Sequence, residues 1–155
     1  MDTAVPPIAI RSLAAGDGDV LARVADGVFD GPVSPRLAAE FLADPRHHLV
    51  VALDDGVVVG FVSAVDYVHP DKPSQLWINE VGVAPSRRRR GIARRLLDAM
   101  LAHGRTLGCT EAWLGTEESN AAARRLYESA GGAAEPFVLY AFDLARGEAP
   151  GAEDR

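Results

Sequence analysis

A strand pattern that leads through an arginine-rich turn into a regular helix constrains this fold more than any other feature of the chain. Leu76 to Val83 is rich in apolar residues and predicts a strand. Beyond the turn, one face of a helix is marked by Ile92, Leu96, Leu97, Met100, Leu101 and Leu107. Gly108 predicts the end of that helix. This unit, followed by a further short strand, predicts a parallel crossover in a layered α/β fold.

Weaker patterns on both sides of this unit predict further strands and helices. Two valine-rich runs flank Asp54-Asp55-Gly56, which has the composition of a tight hairpin turn. In chain order these patterns predict a strand (Ile8 to Leu13), a helix (Val20 to Val28), a helix starting at Ser34-Pro35, hairpin strands (His48 to Leu53 and Val57 to Tyr67), a short strand (Glu111 to Leu114), a helix starting at Ser119-Asn120 and a closing strand (Phe137 to Leu144).

Length and cysteine content predict one domain without structural metal. We place that domain at residues 1–145, with a C-terminal tail at 146–155. The single cysteine, Cys109, excludes an internal disulfide, and the four scattered histidines lack the spacing of zinc ligands. Cys109 has no histidine beside it in sequence, so we expect a buried structural thiol rather than a nucleophile. These features predict a cytoplasmic protein.

Charge is divided unevenly along the chain. The formal net charge is −6, from 16 basic and 22 acidic residues, yet six arginines fall between Ser86 and Arg95 with no acid among them. An acidic body disfavours nucleic acid and anionic lipid as partners, whereas one basic spot suits a small polyanionic ligand. The sequence also lacks a long apolar stretch and a signal-peptide pattern. We therefore expect neither a nucleic-acid partner nor a membrane partner.

The turn from Val83 to Ala93 suits a phosphate ligand. The first amides of a helix have no internal partner and attract an anion together with the helix dipole. Gly91 and Ala93 lack bulky side chains, so a ligand can approach the backbone there while the arginines add charge. The lysine and Ser/Thr of a Walker A loop are absent, as is a GxGxxG pattern. The alternative interpretation is a solvated basic run at a helix start.

Two motifs in the right order resemble those of the GNAT N-acetyltransferases. Arg88-Arg89-Arg90-Gly91-Ile92-Ala93 resembles the Q/R-x-x-G-x-G/A acetyl-CoA signature. The segment from Asn120 to Gly131 resembles the later N-x-x-A-x-x-L-Y-x-x-x-G motif, although Gly132 stands where an aromatic residue often follows. The resemblance implies the GNAT fold, a central, mostly antiparallel mixed sheet with two splayed parallel strands flanked by helices. It also implies acetyl-CoA as co-substrate and no metal.

The resemblance implies how acetyl-CoA is held. The pantetheine arm would lie between the Leu76 to Val83 strand and the Glu111 to Leu114 strand, with main-chain groups near Val81 and Val83 holding the arm and the acetyl carbonyl. Asn120 would contact the pantetheine or the thioester, and this role is compatible with its alternative as a helix cap. The residues implied to hold the pyrophosphate are Arg88, Arg89, Arg90, Gly91, Ile92, Ala93 and Arg94.

The same resemblance implies two catalytic residues. An amine with a pKa of about 10 must lose a proton before it attacks the thioester carbonyl. Glu80 lies in the strand beside the acetyl site, and its apolar sequence neighbours favour it as the base or as an amine-binding group. Its alternative is an outward-facing strand residue. Tyr127 matches the family tyrosine that protonates the departing thiolate; its alternative is packing.

The acceptor is predicted with less detail. The Glu80 strand and its loop, the Glu117-Glu118 pair and the ending Glu135 to Leu144 resemble aminoglycoside 3-N-acetyltransferases. A small polycationic amine would suit an acidic cleft, for which the candidate residues are Asp66, Asp71, Glu80, Glu117, Glu118 and Asp143. Acetylation of a protein or peptide and a non-catalytic acyl-CoA-binding module remain alternatives. The resemblance also leaves open a homodimer in which the terminal strand supplies the interface.

Overall fold

A computed structural model describes residues 7–145. Within these residues, five strands form one sheet in the order β1-β2-β3-β4-β5. The strands are β1 (Ala9–Leu13), β2 (His47–Asp54), β3 (Val57–Tyr67), β4 (Gln75–Val83) and β5 (Glu111–Trp113). The helices are α1 (Pro35–Ala43), α2 (Ile92–Thr106) and α3 (Ala121–Ser129), with 3-10 turns at Gly18–Ala22 and Pro85–Arg87. The predicted mixed α/β fold is confirmed.

Two apolar clusters cover the opposite faces of the sheet. Alternate side chains of a strand point to opposite faces, so each central strand contributes to both clusters. On one face Val62 and Leu76 pack with Leu96 of α2. On the other face Val51 packs with Leu42 of α1. Burial on both faces explains why β2 and β3 read as continuous valine-rich runs in the sequence.

β4 and β5 pair only at one end. β1 to β4 are antiparallel, whereas β5 runs parallel to β4. The parallel pairs are Gln75 with Glu111, Leu76 with Ala112, and Trp77 with Trp113. β4 continues to Val83, and no described residue pairs with it on that side beyond Trp77. An open slot therefore separates the two strands beyond Trp77.

Several short sequence patterns adopt the caps and turns that they predict. The Ser34 hydroxyl accepts from the Leu37 amide at 3.3 Å and caps α1. The hairpin turn takes left-handed conformations at Asp55 and Gly56, with φ of 49° and 75°. Gly108 follows α2 with φ of 80°, the conformation that a helix-ending glycine adopts most easily.

Two sequence predictions were wrong. The predicted helix from Val20 to Val28 is only a 3-10 turn, Gly18–Ala22, and the chain then bridges Val24 to Val58. The predicted closing strand from Phe137 to Leu144 forms no strand and is exposed. A strand requires hydrogen bonds to a partner, and composition alone does not supply that partner. The predicted tail, residues 146–155, lies outside the described residues.

Two further properties concern only residues 7–145. None of their helices is long and apolar enough to cross a membrane. No cluster of three or more His, Cys, Asp or Glu side chains among them is arranged to hold a metal ion.

Cys109 is partly buried, and burial together with the Asp66 charge raises the pKa of its thiol. A raised pKa suits a structural thiol rather than a nucleophile.

Candidate active site

The turn before α2 presents backbone amides toward solvent. Arg89 and Gly91 have φ of 63° and 73°. A left-handed residue followed by a right-handed one turns successive amides toward a common point, which favours an anion. The first intrahelical bond runs from the Arg95 amide to the Gly91 carbonyl, 3.1 Å. The amides of Ile92 to Arg94 come before it and have no carbonyl of their own helix.

Three of the six arginines in this region hold the fold together. Arg87 donates to Asp54 at 2.9 Å and so ties the turn to the end of β2. Arg94 donates to the Ser129 carbonyl at 2.9 Å and joins α2 to the end of α3. Arg95 donates to a main-chain carbonyl beside β1, also at 2.9 Å. Of the predicted phosphate-binding set, Arg94 therefore uses its side chain structurally, and its amide is the group left for a ligand.

The other three arginines face solvent. Arg88, Arg89 and Arg90 are exposed and surround the turn whose amides point outward. No ion pair joins these three to another described residue. Their charge is therefore available to a phosphate group, and their exposure is equally compatible with the alternative interpretation, a solvated basic run at a helix start.

A bulge in β4 places Glu80 at the open slot. Ser63 of β3 pairs with Glu80, but the next residue, Ala64, pairs with Ile78. Asn79 is therefore the extra residue of a β-bulge, a device that redirects side chains. Glu80 is exposed rather than enclosed by its apolar sequence neighbours. The expectation of an apolar setting for this carboxylate was wrong, because the bulge turns it out of the sheet.

Tyr127 of α3 lies on the face of the sheet that α2 covers. With Leu126 of α3 and Ala130, which directly follows α3, it packs against the core cluster that contains Ile78, and Val81 packs against the same cluster. Burial raises the pKa of the Tyr127 phenol. A phenol with a raised pKa stays protonated at neutral pH, so it keeps a proton to donate.

Glu80 and Tyr127 lie on opposite faces of the sheet. Val62 belongs to the α2-side cluster and pairs with Val81, so the adjacent Glu80 projects to the α1 side. Tyr127 packs within the α2-side cluster. A ligand that fills the open slot can be approached from one face by a group that accepts a proton and from the other by one that donates.

Asn120 is a helix cap. Its Oδ1 accepts from the Ala123 amide at 3.1 Å at the start of α3. The cap leaves the side-chain NH₂ group as a donor, so a ligand contact remains compatible with capping. Asn120 is exposed in the segment that joins β5 to α3.

The predicted acceptor acids do not form one cluster. Asp66 accepts from His48 at 2.7 Å and pairs with Arg46 at 3.5 Å, three residues along β3 from Ser63, which pairs with Glu80. Glu117 and Glu118 are exposed between β5 and α3, and Asp71 is exposed before β4. Asp143 lies in the exposed C-terminal segment and accepts from the Ala145 amide at 3.0 Å.

Sequence reasoning missed the cavity on the α1 face. It has a volume of about 310 Å³ and includes Phe41, His47, Trp77 and Asn79 in its lining. The bulge exposes Asn79 beside Glu80, and an unpaired strand residue gives no signal in a single sequence. A larger cavity of about 780 Å³ lies between the 3-10 turn and α1, and no residue of β4 or of the arginine-rich turn lines it.

Comparison with known families identifies the architecture. The model of the acetyltransferase (GNAT) family matches residues 21–132, which include the slot, the arginine-rich turn and α3. The chain belongs to the GNAT acetyltransferase family. The predicted resemblance is thereby confirmed at the level of the family. As in the GNAT family, acetyl-CoA is the co-substrate, and the protein is an acetyl-CoA-dependent N-acetyltransferase.

Curated GNAT relatives act on different acceptors. The chain is 31% identical over 127 residues to N-alpha-acetyltransferase RimI of Mycobacterium tuberculosis, covering 81% of this chain and 78% of the relative. It is 32% identical over 85 residues to aminoglycoside N(6')-acetyltransferase type 1 of Salmonella typhimurium, covering 52% of this chain and 59% of that enzyme. The chain therefore spans less than two thirds of the aminoglycoside enzyme.

Solved GNAT structures share the fold. An aminoglycoside acetyltransferase from an uncultured soil metagenomic sample, in complex with sisomicin, superposes with a TM-score of 0.78 at 19% identity. That match covers 88% of this chain and 96% of the other. Aminoglycoside N-acetyltransferase AAC(6')-Iy in complex with CoA gives a TM-score of 0.72 at 21% identity, covering 93% and 99%.

Proposed function

We propose that this enzyme transfers acetyl from acetyl-CoA directly to a primary amine of a small polycationic molecule, with aminoglycosides as the preferred class. The observation that carries the proposal is the exposed Glu80 on the β4 bulge, at the edge of the open slot and on the face opposite Tyr127. The aminoglycoside acetyltransferases among its relatives and structural neighbours support the acceptor class.

The slot and the α2 turn bind the two parts of acetyl-CoA. The unpaired edge of β4 at Val81 and Val83 offers backbone groups to the pantetheine arm, as an added strand would. The diphosphate meets the amides of Ile92 to Arg94 and the exposed side chains of Arg88 to Arg90. The Asn120 NH₂ group donates to the pantetheine where the arm passes the start of α3.

The chemistry follows from the two faces of the slot. Glu80 accepts a proton from the acceptor ammonium, directly or through water, and frees the lone pair that attacks the thioester carbonyl. The new C–N bond forms, the C–S bond breaks, and the sulfur takes the electron pair, while the nitrogen releases a second proton to solvent and becomes a neutral amide. Tyr127 then donates its proton to that sulfur, and solvent restores the phenol. No acetylated residue of the protein is formed.

Charge supports a cationic acceptor. Six arginines surround the cofactor turn, so the rest of the chain carries an excess of acid beyond the overall −6. Glu117 and Glu118 are exposed on the segment between β5 and α3, where either carboxylate can pair with a second ammonium group of a polyamine. Asp66 is already paired with His48 and contributes least. Acetylation at the 3-amino group stays a prediction, since the Salmonella enzyme and AAC(6')-Iy are both named for the 6' position.

A protein N-terminus is the second candidate acceptor. RimI matches more of this chain than the aminoglycoside enzyme does, 81% against 52%. Its name describes N-alpha-acetylation, which also requires an uncharged amine at the thioester. The base and acid would keep their roles, and only the surface beyond Glu80 would differ.

An acceptor panel with a matched pair of variants tests the proposal. Release of the CoA thiol is followed with aminoglycosides, simple diamines and peptides that have free N-termini, and mass spectrometry locates the acetyl group. We expect the highest kcat/KM with an aminoglycoside and a large loss in Glu80→Gln. Glu40→Gln is the control, because Glu40 is an exposed α1 carboxylate paired only with Arg36. Efficient turnover of peptides, together with no turnover of aminoglycosides, would contradict the aminoglycoside proposal and favour a protein N-terminus as the acceptor.

A further inference from the structure

The small cavity on the α1 face contains a buried hydroxyl group without a partner. Ser63 is 7% exposed, and among residues 7–145 it is the only polar or charged residue that is buried. It lines the cavity of about 310 Å³. No hydrogen bond joins its side chain to another described residue. Because a buried polar group without a partner is costly, this hydroxyl indicates a ligand group that pairs with it.

The register of the sheet places this cavity beside Glu80. Ser63 of β3 lies directly opposite Glu80 of β4. Side chains of directly opposite residues share one face of a sheet, with Cβ atoms about 5 Å apart. Val62 and Ala64 belong to the α2-side cluster, so Ser63 between them projects to the α1 side, as Glu80 does. A molecule that fills the cavity therefore lies next to the Glu80 carboxylate.

The lining of the cavity combines apolar walls with uncharged polar groups. The walls are supplied by Phe41, Val65 and Trp77, and the polar groups by Ser63, Asn79 and His47. No Asp, Glu, Lys or Arg side chain belongs to the lining, so it does not suit a second ammonium group of a polyamine. A purely apolar side chain would leave the Ser63 hydroxyl unpaired. A hydroxylated saturated ring satisfies both kinds of group, because its faces carry C–H bonds and its edges carry hydroxyl groups.

The volume of the cavity limits what it encloses. Pockets for drug-sized ligands have volumes of roughly 300–1,000 Å³, and about 310 Å³ is at the lower end of that range. The cavity therefore encloses one ring of an aminoglycoside, and the other rings stay outside it.

We propose that this cavity binds the amino-sugar ring whose amine is acetylated. A C–H face of the ring contacts the aromatic side chains of Phe41 and Trp77, one ring hydroxyl hydrogen-bonds to Ser63, and the amine points to Glu80. This inference rests on the proposed function and adds the residues that select the acceptor. Ser63 and the two aromatic residues act by binding the ring, and they take no part in proton transfer.

Steady-state kinetics with sisomicin, an aminoglycoside, and acetyl-CoA test the inference. Ser63→Ala removes the hydroxyl group, and Phe41→Leu removes the aromatic ring but keeps an apolar side chain against the α1-side cluster. Ser12→Ala is the matched control, because Ser12 is an exposed serine of the edge strand β1. Urea unfolding without acceptor measures the stability of each variant.

We expect Ser63→Ala to raise the KM for sisomicin roughly tenfold and Phe41→Leu to raise it several-fold, with kcat and the KM for acetyl-CoA unchanged. Ser12→Ala should match the wild type. Because the Ser63 hydroxyl has no partner in the chain, Ser63→Ala should not lower the free energy of unfolding. A merely structural role would instead lower stability and change both KM values.

The outcomes separate this inference from the proposed function. If the wild type acetylates sisomicin and either variant keeps the wild-type KM for it, the inference is overturned and the proposed function stands. A KM for acetyl-CoA that rises as much as the KM for sisomicin also overturns the inference, because the substitution then acts on the whole site. If the wild type does not acetylate sisomicin but acetylates peptides, the proposed acceptor class is contradicted and the inference falls with it.

Discussion

Trp77 and Trp113 pack edge to face, with ring centroids 4.2 Å apart, at the last residue pair that joins β4 to β5. Beyond this pair the two strands separate and the slot opens. The indole contact therefore lies at the vertex of the slot and helps to hold β5, all three residues of which pair with β4, against that strand. Its geometry connects sheet stability to the width of the cofactor site.

Replacing Trp113 should weaken both properties. Trp113→Ala removes the edge-to-face contact, and we expect a loss of about 1 kcal/mol in the free energy of unfolding together with a higher KM for acetyl-CoA. Trp113→Phe retains an aromatic edge and should keep most of both. Urea unfolding and steady-state kinetics measure the two effects. An unchanged KM in Trp113→Ala would show that the vertex does not control the slot.

Removing the Tyr127 hydroxyl should slow the chemical step without weakening binding. Tyr127→Phe keeps the ring that packs against the core but loses the proton donor. We expect kcat to fall on the order of 10²-fold, with a nearly constant KM for acetyl-CoA. Tyr67→Phe, at a tyrosine that is 53% exposed at the far end of β3, is the matched control. Equal kcat values in the two variants would assign Tyr127 to packing alone.

The parts of the candidate site that depend only on short segments of sequence could be predicted. The strand, the arginine-rich turn and the α2 helix could be predicted because a helix start, a glycine with positive φ and apolar spacing are local properties. The caps at Ser34 and Asn120 belong to the same class. Such features need no knowledge of what lies across the sheet.

Features that depend on a distant partner could not be predicted in the same way. The Asn79 bulge, which exposes Glu80, exists only relative to the register of β3. Asp66 is one of the predicted acceptor acids, but it pairs with His48 of β2 and with Arg46, which directly precedes β2. Residues 137–144 have the composition of a strand, yet they form no strand in the described part of the chain, because composition does not supply a partner.

Acidification should destabilise the fold through His103. Burial lowers the pKa of His103 below 6.5, and the neighbouring His48 lowers it further, while Asp66 acts in the opposite direction. The unfolded chain then binds a proton more readily than the folded chain, so stability is lost as pH falls through about 6.5 and below. His103→Gln should flatten this slope in urea unfolding measured across that range. His47→Gln, at an exposed histidine, should retain it; equal slopes in wild type and His103→Gln would contradict the assignment.

Calorimetric titration of acetyl-CoA into the wild type, Gly91→Val and Gly31→Val measures whether the turn before α2 binds the diphosphate. Gly91 has φ of +73°, where a β-branched residue costs about 1–2 kcal/mol and displaces the amides. Gly31 has open space around its Cβ position and no such φ. We expect tight binding by the wild type and by Gly31→Val, and roughly tenfold weaker binding by Gly91→Val. Equal affinity in all three proteins would contradict it.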